Sequence, residues 1–226
     1  MRYDWIFFDA DGTLFDYDAA EAAALEGAFE VCDIPFEPSI GPLYSEINAG
    51  IWREFELGEL DQSELKTLRF DRLFAKVGLS ADAAVFSGHY LEILGRQTTL
   101  LAGAEAFLRS SPERLHLLLI TNGLAEVQVP RFAASTISDC FEEIVISGEI
   151  GLAKPDPAIF DFAFERIGRP AKDRVLMVGD NLGSDILGGA NYGLDTCWYN
   201  PAGTLNGHGV EPTYEIRELR EILDLL

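Results

Sequence analysis

Positive charge is scarce in this chain: 17 Lys and Arg stand against 38 Asp and Glu, a formal charge of −21 over 226 residues. So acidic a surface repels a polyanion, which argues against long DNA or RNA as a partner. Long apolar runs are missing as well. Nothing approaches the roughly 18 residues of a membrane span, and the chain enters a strand within its first residues rather than through a signal peptide. The expectation is a cytoplasmic protein with no membrane partner. Cysteine is rare and odd in number. Cys32, Cys140 and Cys197 are far apart in apolar surroundings, which fits reduced core thiols better than a disulfide frame or a zinc site. Internal repeats and low-complexity tracts are absent.

What is present is enough apolar sequence for one large domain or two small ones. Buried-strand runs stand at 5–8, 115–120, 144–146, 175–178 and 196–199. Helical patterns at 103–109, 157–167, 183–192 and 214–226 alternate with them. This alternation predicts an α/β fold, a doubly wound parallel sheet whose ligands sit at the carboxyl ends of the strands, where strand order reverses. From residue 16 to 100 no strand pattern occurs, only helix-like stretches at 19–31, 45–57, 63–77 and 82–97. A parallel crossover needs about a dozen residues, usually one helix. The excess predicts an all-helical domain, 16–100, inserted into a core made of 1–15 and 101–226, with loops at 31–42 and 201–212.

Chemistry collects at the strand ends. Trp5-Ile6-Phe7-Phe8 runs into Asp9-Ala10-Asp11-Gly12-Thr13. In an extended backbone residues i and i+2 share a face, so Asp9 and Asp11 converge before Gly12 turns the chain. Taken singly, Asp-x-Asp-Gly is also an ordinary turn. Three later segments change that reading: Ile120-Thr121-Asn122-Gly123, whose hydroxyl, amide and backbone N–H groups suit a phosphoryl oxygen; Lys154-Pro155-Asp156-Pro157; and Gly179-Asp180-Asn181-Leu182-Gly183-Ser184-Asp185. Four carboxylates, one lysine and a Thr-Asn pair are a set that turn chemistry seldom assembles.

These four segments, in this order, resemble the four motifs of the haloacid dehalogenase (HAD) superfamily, and the 16–100 insert resembles its C1-type helical cap. Val145-Ile146-Ser147, Ala153-Lys154-Pro155, Ser184-Asp185-Ile186-Leu187-Gly188-Gly189 and Thr196-Cys197-Trp198 further resemble the YjjG-type pyrimidine 5′-nucleotidases. Departures are Thr136, where a helix-ending glycine is expected, and Pro130, which interrupts the helix expected after Asn122.

The resemblance implies a phosphomonoester hydrolase in which Asp9 attacks phosphorus to form an aspartyl-phosphate. Asp11 serves as acid and then base, and Thr121, Asn122 and Lys154 hold the phosphoryl oxygens. Asp9, Asp11, Asp180 and Asp185 bring up to four negative charges and Lys154 one positive, and a phosphate ester adds up to about two more negative charges. That imbalance calls for a hard cation, Mg²⁺, bound by Asp9, the backbone carbonyl of Asp11 and Asp180, with Thr13 and Asp185 supporting these ligands from behind. An acid for the leaving group favours phosphate esters over carbon–halogen bonds.

The implied substrate is a small phosphorylated metabolite, by resemblance a nucleoside 5′-monophosphate. Phosphoglycolate or a sugar phosphate, a phosphomutase reaction, or a non-catalytic binding protein of the same fold are the alternatives, and the protein is expected as a monomer or homodimer. In the insert, Trp52, Arg53 and Phe55 offer aromatic faces for a base and a cation for a second polar group, although aromatics with Leu57 at helical spacing also read as core, as do His89 and Tyr90.

Overall fold

The computed structural model describes residues 2–226. The chain divides into two units: Met1–Asp16, Thr99–Ala125 and Phe132–Leu226 form one, Tyr17–Thr98 with Glu126–Arg131 the other. The six residues Glu126–Arg131 thus go with the helical unit, although they lie outside the 16–100 span.

The first unit is built on six strands: β1 (Trp5–Phe8), β2 (His116–Thr121), β3 (Glu143–Ile146), β4 (Val175–Gly179), β5 (Asp195–Tyr199) and β6 (Tyr214–Ile216). All pair in parallel, in the order β3-β2-β1-β4-β5-β6. Alternate side chains of each strand leave the sheet on opposite faces. Ile6, Phe8, Leu117, Leu119, Leu176 and Val178 pack on one side with Phe107 and Leu108. Trp5, Phe7, Leu118, Ile120, Val175 and Met177 pack on the other with Ile159, Phe160 and Phe164. Each fully buried Phe, Leu or Ile side chain stabilises this sandwich by roughly 1.5–3 kcal/mol.

Register decides where the chemistry falls. Phe8 lies opposite both Leu119 and Val178, so the three central strands end level and release Asp9, Thr121 and Asp180 at one edge. The chain runs from β1 outward through β2 and β3, then returns to place β4 on the other side of β1. The order therefore reverses between β1 and β4, the position where such sheets bind ligands.

Three expectations are corrected. The segment 214–226 is not a helix: Tyr214–Ile216 extends as β6 beside β5, and only Leu219–Asp224 coils, as a 3₁₀ helix. The alternation of half-buried Tyr214, exposed Glu215 and buried Ile216 suits a strand, which the apolar count alone did not reveal. The stretch 183–192 opens as a π-helical turn, Leu182–Ile186, before α-helix Leu187–Tyr192: the Ile186 and Leu187 N–H groups reach the carbonyls of Asn181 and Leu182, five residues back, and the Asn181 side chain caps the turn through the N–H groups of Gly183 and Ser184. Pro130 does not end its helix, which is continuous over Ala125–Ala134; the ring removes one hydrogen bond at an exposed position.

The second unit packs α1 (Tyr17–Val31), α2 (Ile40–Glu56), α3 (Gln62–Val77) and α4 (Ala83–Leu94). Asp82 caps α4 through the N–H groups of Ala84 and Val85, and Gly78 closes α3 in the left-handed region at φ 70°. Tyr44, Phe70, Phe74, Phe86 and Tyr90 form its aromatic centre. Tyr90 is core, as its spacing allowed, whereas Leu57 is 68% exposed and belongs to no core. Trp52 and Phe55 are half-buried and meet edge to face, and Arg53 is exposed. Among the described residues no helix is long and apolar enough to cross a membrane, and the three cysteines are unpaired.

Candidate active site

Past Phe8 the β1 ladder continues for one residue, with the Asp9 N–H donating to the Val178 carbonyl at 2.9 Å. The chain then folds into a tight loop: Leu14 and Phe15 both donate to the Ala10 carbonyl, and Gly12 donates to that of Phe15. Gly12 takes φ +80°, and a Cβ built there would stand 2.5 Å from Asp180 Oδ2. Glycine is therefore required twice over, for its conformation and for the carboxylate lying against it. Gly179 meets a similar demand, since its Cβ would stand 2.1 Å from Asp185 Oδ2.

Asp9, Asp180 and Asp185 each place one carboxylate oxygen within 4.8 Å of the others. Lys154 is their cation. It is 1% exposed, and its Nζ donates to Asp9 Oδ1 at 2.6 Å and to the Ile120 carbonyl at 2.7 Å, and lies 2.7 Å from Asp185 Oδ1. Asp185 is further tied by the Asn181 N–H, which donates to its Oδ2 at 3.0 Å. Its Oδ1, buried and ion-paired, accepts no well-aligned hydrogen bond. The Thr13 hydroxyl donates to Asp180 Oδ1 at 3.1 Å.

The remaining predicted residues stand at or just past the ends of β1 and β2. Thr121 is buried, its hydroxyl accepting the Gly123 N–H at 3.1 Å. Asn122 grips the Lys154 backbone with both ends of its amide, Nδ2 donating to the carbonyl at 2.8 Å and Oδ1 accepting the N–H at 2.7 Å. Both ends of its side-chain amide are thus engaged by the Lys154 backbone. Asp11 is half-buried on the β1 loop, in bridge register with Phe15. Sequence reasoning missed the packing demand at Gly179 and the contact of Trp198, whose indole N–H donates to the Asp180 carbonyl at 2.9 Å. A glycine immediately before a strand-end aspartate was the one available signal for the former.

Three carboxylates around one ammonium leave an excess of negative charge, and proton affinities register it. Burial drives the Asp9 carboxyl well above its ordinary range; Lys154 opposes this, and Asp185 and Asp180 add to it. Asp180 is pushed up to about 7, by burial first and Asp185 second, against the Thr13 hydrogen bond. Lys154 is held above the ordinary lysine value because Asp185 and Asp9 outweigh its burial. Carboxyls raised in this way beside an ammonium already in place leave negative charge that a further cation could offset. All donors are oxygens; Asp185 Oδ1 takes only the Lys154 ion pair, and the Asp180 carboxylate lies over Gly12, where a Cβ would collide with it, which leaves acceptor capacity. Such a donor set fits a hard divalent ion.

A model of the haloacid dehalogenase-like hydrolase family matches residues 3–193. The chain is 35% identical to the pyrimidine 5′-nucleotidase YjjG of Escherichia coli, covering 100% of this chain and 99% of that one. It is likewise 35% identical to the pyrimidine 5′-nucleotidase PynA of Streptococcus pneumoniae, over 100% and 96% of the two chains. Among solved structures, the HAD-hydrolase YfnB of Bacillus subtilis bound to magnesium superposes with a TM-score of 0.94 at 37% identity, covering 100% and 99%. Strand-end acids at the switch point, their buried lysine and these full-length similarities agree: the chain is a hydrolase and belongs to the haloacid dehalogenase-like family.

Proposed function

We propose that this hydrolase cleaves phosphate monoesters, with a nucleoside 5′-monophosphate of the pyrimidine series as substrate and Mg²⁺ as cofactor. The reading is carried by one observation: Asp9 leaves β1 at the sheet's switch point, pinned through one oxygen by Lys154, inside a group of three carboxylates 4.8 Å across. With Oδ1 held by the ammonium, the other oxygen of Asp9 is the nucleophile. It forms a bond to phosphorus as the bond to the leaving oxygen breaks, and that oxygen takes a proton from Asp11. Asp11 then accepts a proton from the water that attacks the aspartyl-phosphate, releasing phosphate and restoring Asp9.

Lys154, oriented by Asn122, offsets charge on the phosphoryl oxygens, where it spreads in the transition state. Asp9, the Asp11 backbone and Asp180 would hold magnesium, with Asp185 and Thr13 fixing their orientation. Bound there, the ion would supply positive charge that offsets the carboxylate excess and polarises a phosphoryl oxygen. In this reading the helical unit is the cap, and its residues select the leaving group. The substrate class rests on the pyrimidine 5′-nucleotidases YjjG and PynA, each similar along its whole length.

Phosphate release from a panel of mononucleotides, sugar phosphates and phosphoglycolate, with Mg²⁺ and with chelator, tests the proposal. Turnover of pyrimidine monophosphates that stops on chelation is expected, and Asp9→Asn should remove nearly all of it. Strict preference for phosphoglycolate would overturn the substrate, and an active Asp9→Asn would overturn the mechanism.

A further inference from the structure

Asp180 is held at two points, and only one is its carboxylate. Thr13 holds the side chain; the backbone carbonyl accepts the indole N–H of Trp198 at 2.9 Å. Trp198 lies opposite Gly179 in the β4–β5 register, so its ring stands beside the turn that follows β4. It is 4% exposed and packs with Leu182 and Ile186, the first and last residues of the π-helical turn that carries Asp185. One ring therefore braces both ends of the segment 180–185: a directed hydrogen bond at Asp180 and apolar contacts around Asp185. Leucine or phenylalanine would fill the space, but neither has an N–H. The indole is the chemical element that a purely packing role does not need.

We propose that Trp198 is a positioning residue for the acidic cluster, holding the Asp180 backbone where its carboxylate and that of Asp185 converge and so raising the cluster's affinity for a divalent cation. The inference rests on the proposed function's reading of that cluster as a magnesium site. Affinity depends on oxygens kept at one spacing before the ion arrives; a turn free to relax away from mutual repulsion has to be reordered on binding. Loss of one hydrogen bond of this kind is worth roughly 3- to 10-fold in an equilibrium constant.

Two measurements on the full chain test this. With ¹⁵N-labelled indoles the three tryptophans give three N–H resonances. On titrating Mg²⁺ into the wild-type protein, the Trp198 resonance should move, while that of Trp5, which lies at the opposite end of β1 from Asp9, stays in place. In Trp198→Phe, the Mg²⁺ dissociation constant, read by isothermal titration calorimetry, should rise roughly 3- to 10-fold. A Trp198→Phe protein that is less stable in chelator yet has an unchanged Mg²⁺ dissociation constant would show a packing role only and overturn the inference. So would a Trp198 resonance indifferent to Mg²⁺, an arm that decides the matter even if the variant does not fold. If the wild-type melting temperature itself ignores Mg²⁺, the metal reading falls and this inference with it, whereas a normal thermal response with a silent Trp198 removes the inference alone.

Discussion

Without metal, Asp180 should be a liability that a neutral side chain removes. Its carboxyl is pushed from the ordinary 3.8 up to about 7 by burial and by Asp185. Between these values the folded protein binds more protons than the unfolded chain, so the contribution of Asp180 to stability is fully present below pH 3.8 and is lost as pH rises through about 7. Three pKa units at about 1.36 kcal/mol each set an upper bound of roughly 4 kcal/mol on the cost of ionised Asp180 at pH 8.5. Asparagine carries no charge and keeps an oxygen for the Thr13 hydroxyl. In chelator at pH 8.5, Asp180→Asn should therefore gain roughly 2–4 kcal/mol, or roughly 4–16 °C in melting temperature for a chain of this length. At pH 5, inside this window, the gain should fall to less than half of that. Excess Mg²⁺ should reverse the order, because the wild type recovers stability from the ion and the variant has lost a ligand. Scanning calorimetry at the two pH values, with chelator and with Mg²⁺, measures all four terms. A chelated Asp180→Asn no more stable than wild type at pH 8.5, or a gain equal at both pH values, would refute the electrostatic account of the site.

Two further substitutions probe the same cluster from other sides. Lys154→Met leaves Asp9 and Asp185 buried without their cation, and breaking such a pair should cost roughly 3–5 kcal/mol in chelator and at least about 10²-fold in kcat; urea melts and phosphate release measure the two. Lys154→Arg should rescue neither, since the ammonium lies within 2.7 Å of three acceptors at once in a space a planar fork does not fit. Gly12→Ala should lose roughly 1–3 kcal/mol of stability and weaken Mg²⁺ binding, because the new methyl must displace the Asp180 carboxylate from a backbone that already favours glycine; a Mg²⁺-dependent thermal shift like that of wild type would contradict this.

Much of the architecture was legible because it is written in local periodicity. The apolar runs ending in Asp9, Thr121 and Asp180 declare buried strands and their exits within a few residues, and the long helical interval from residue 16 is visible as an absence of strands. The C-terminal β6 was misread because three residues of alternation cannot outweigh a longer apolar pattern; what makes Tyr214–Ile216 a strand is the exposed edge of β5. Pro130 looked like a break because proline's local penalty was legible and its exposed setting was not. Asn122 was expected to offer its amide to phosphate, and the amide clasps the Lys154 backbone 32 residues away.

By itself, then, the order of residues determined which chemical groups stand at which strand ends, since that follows from the period of a strand and the character of its neighbours. Only the tertiary structure decided which of them meet. The pairing of Lys154 with Asp9 spans 145 positions, the lean of Trp198 on Asp180 spans 18, and the approach of Asp185 to Gly179 admits no Cβ. Such contacts come from parallel pairing of strands remote in the chain, and the cluster's excess of negative charge arises only when burial brings its carboxylates out of water together.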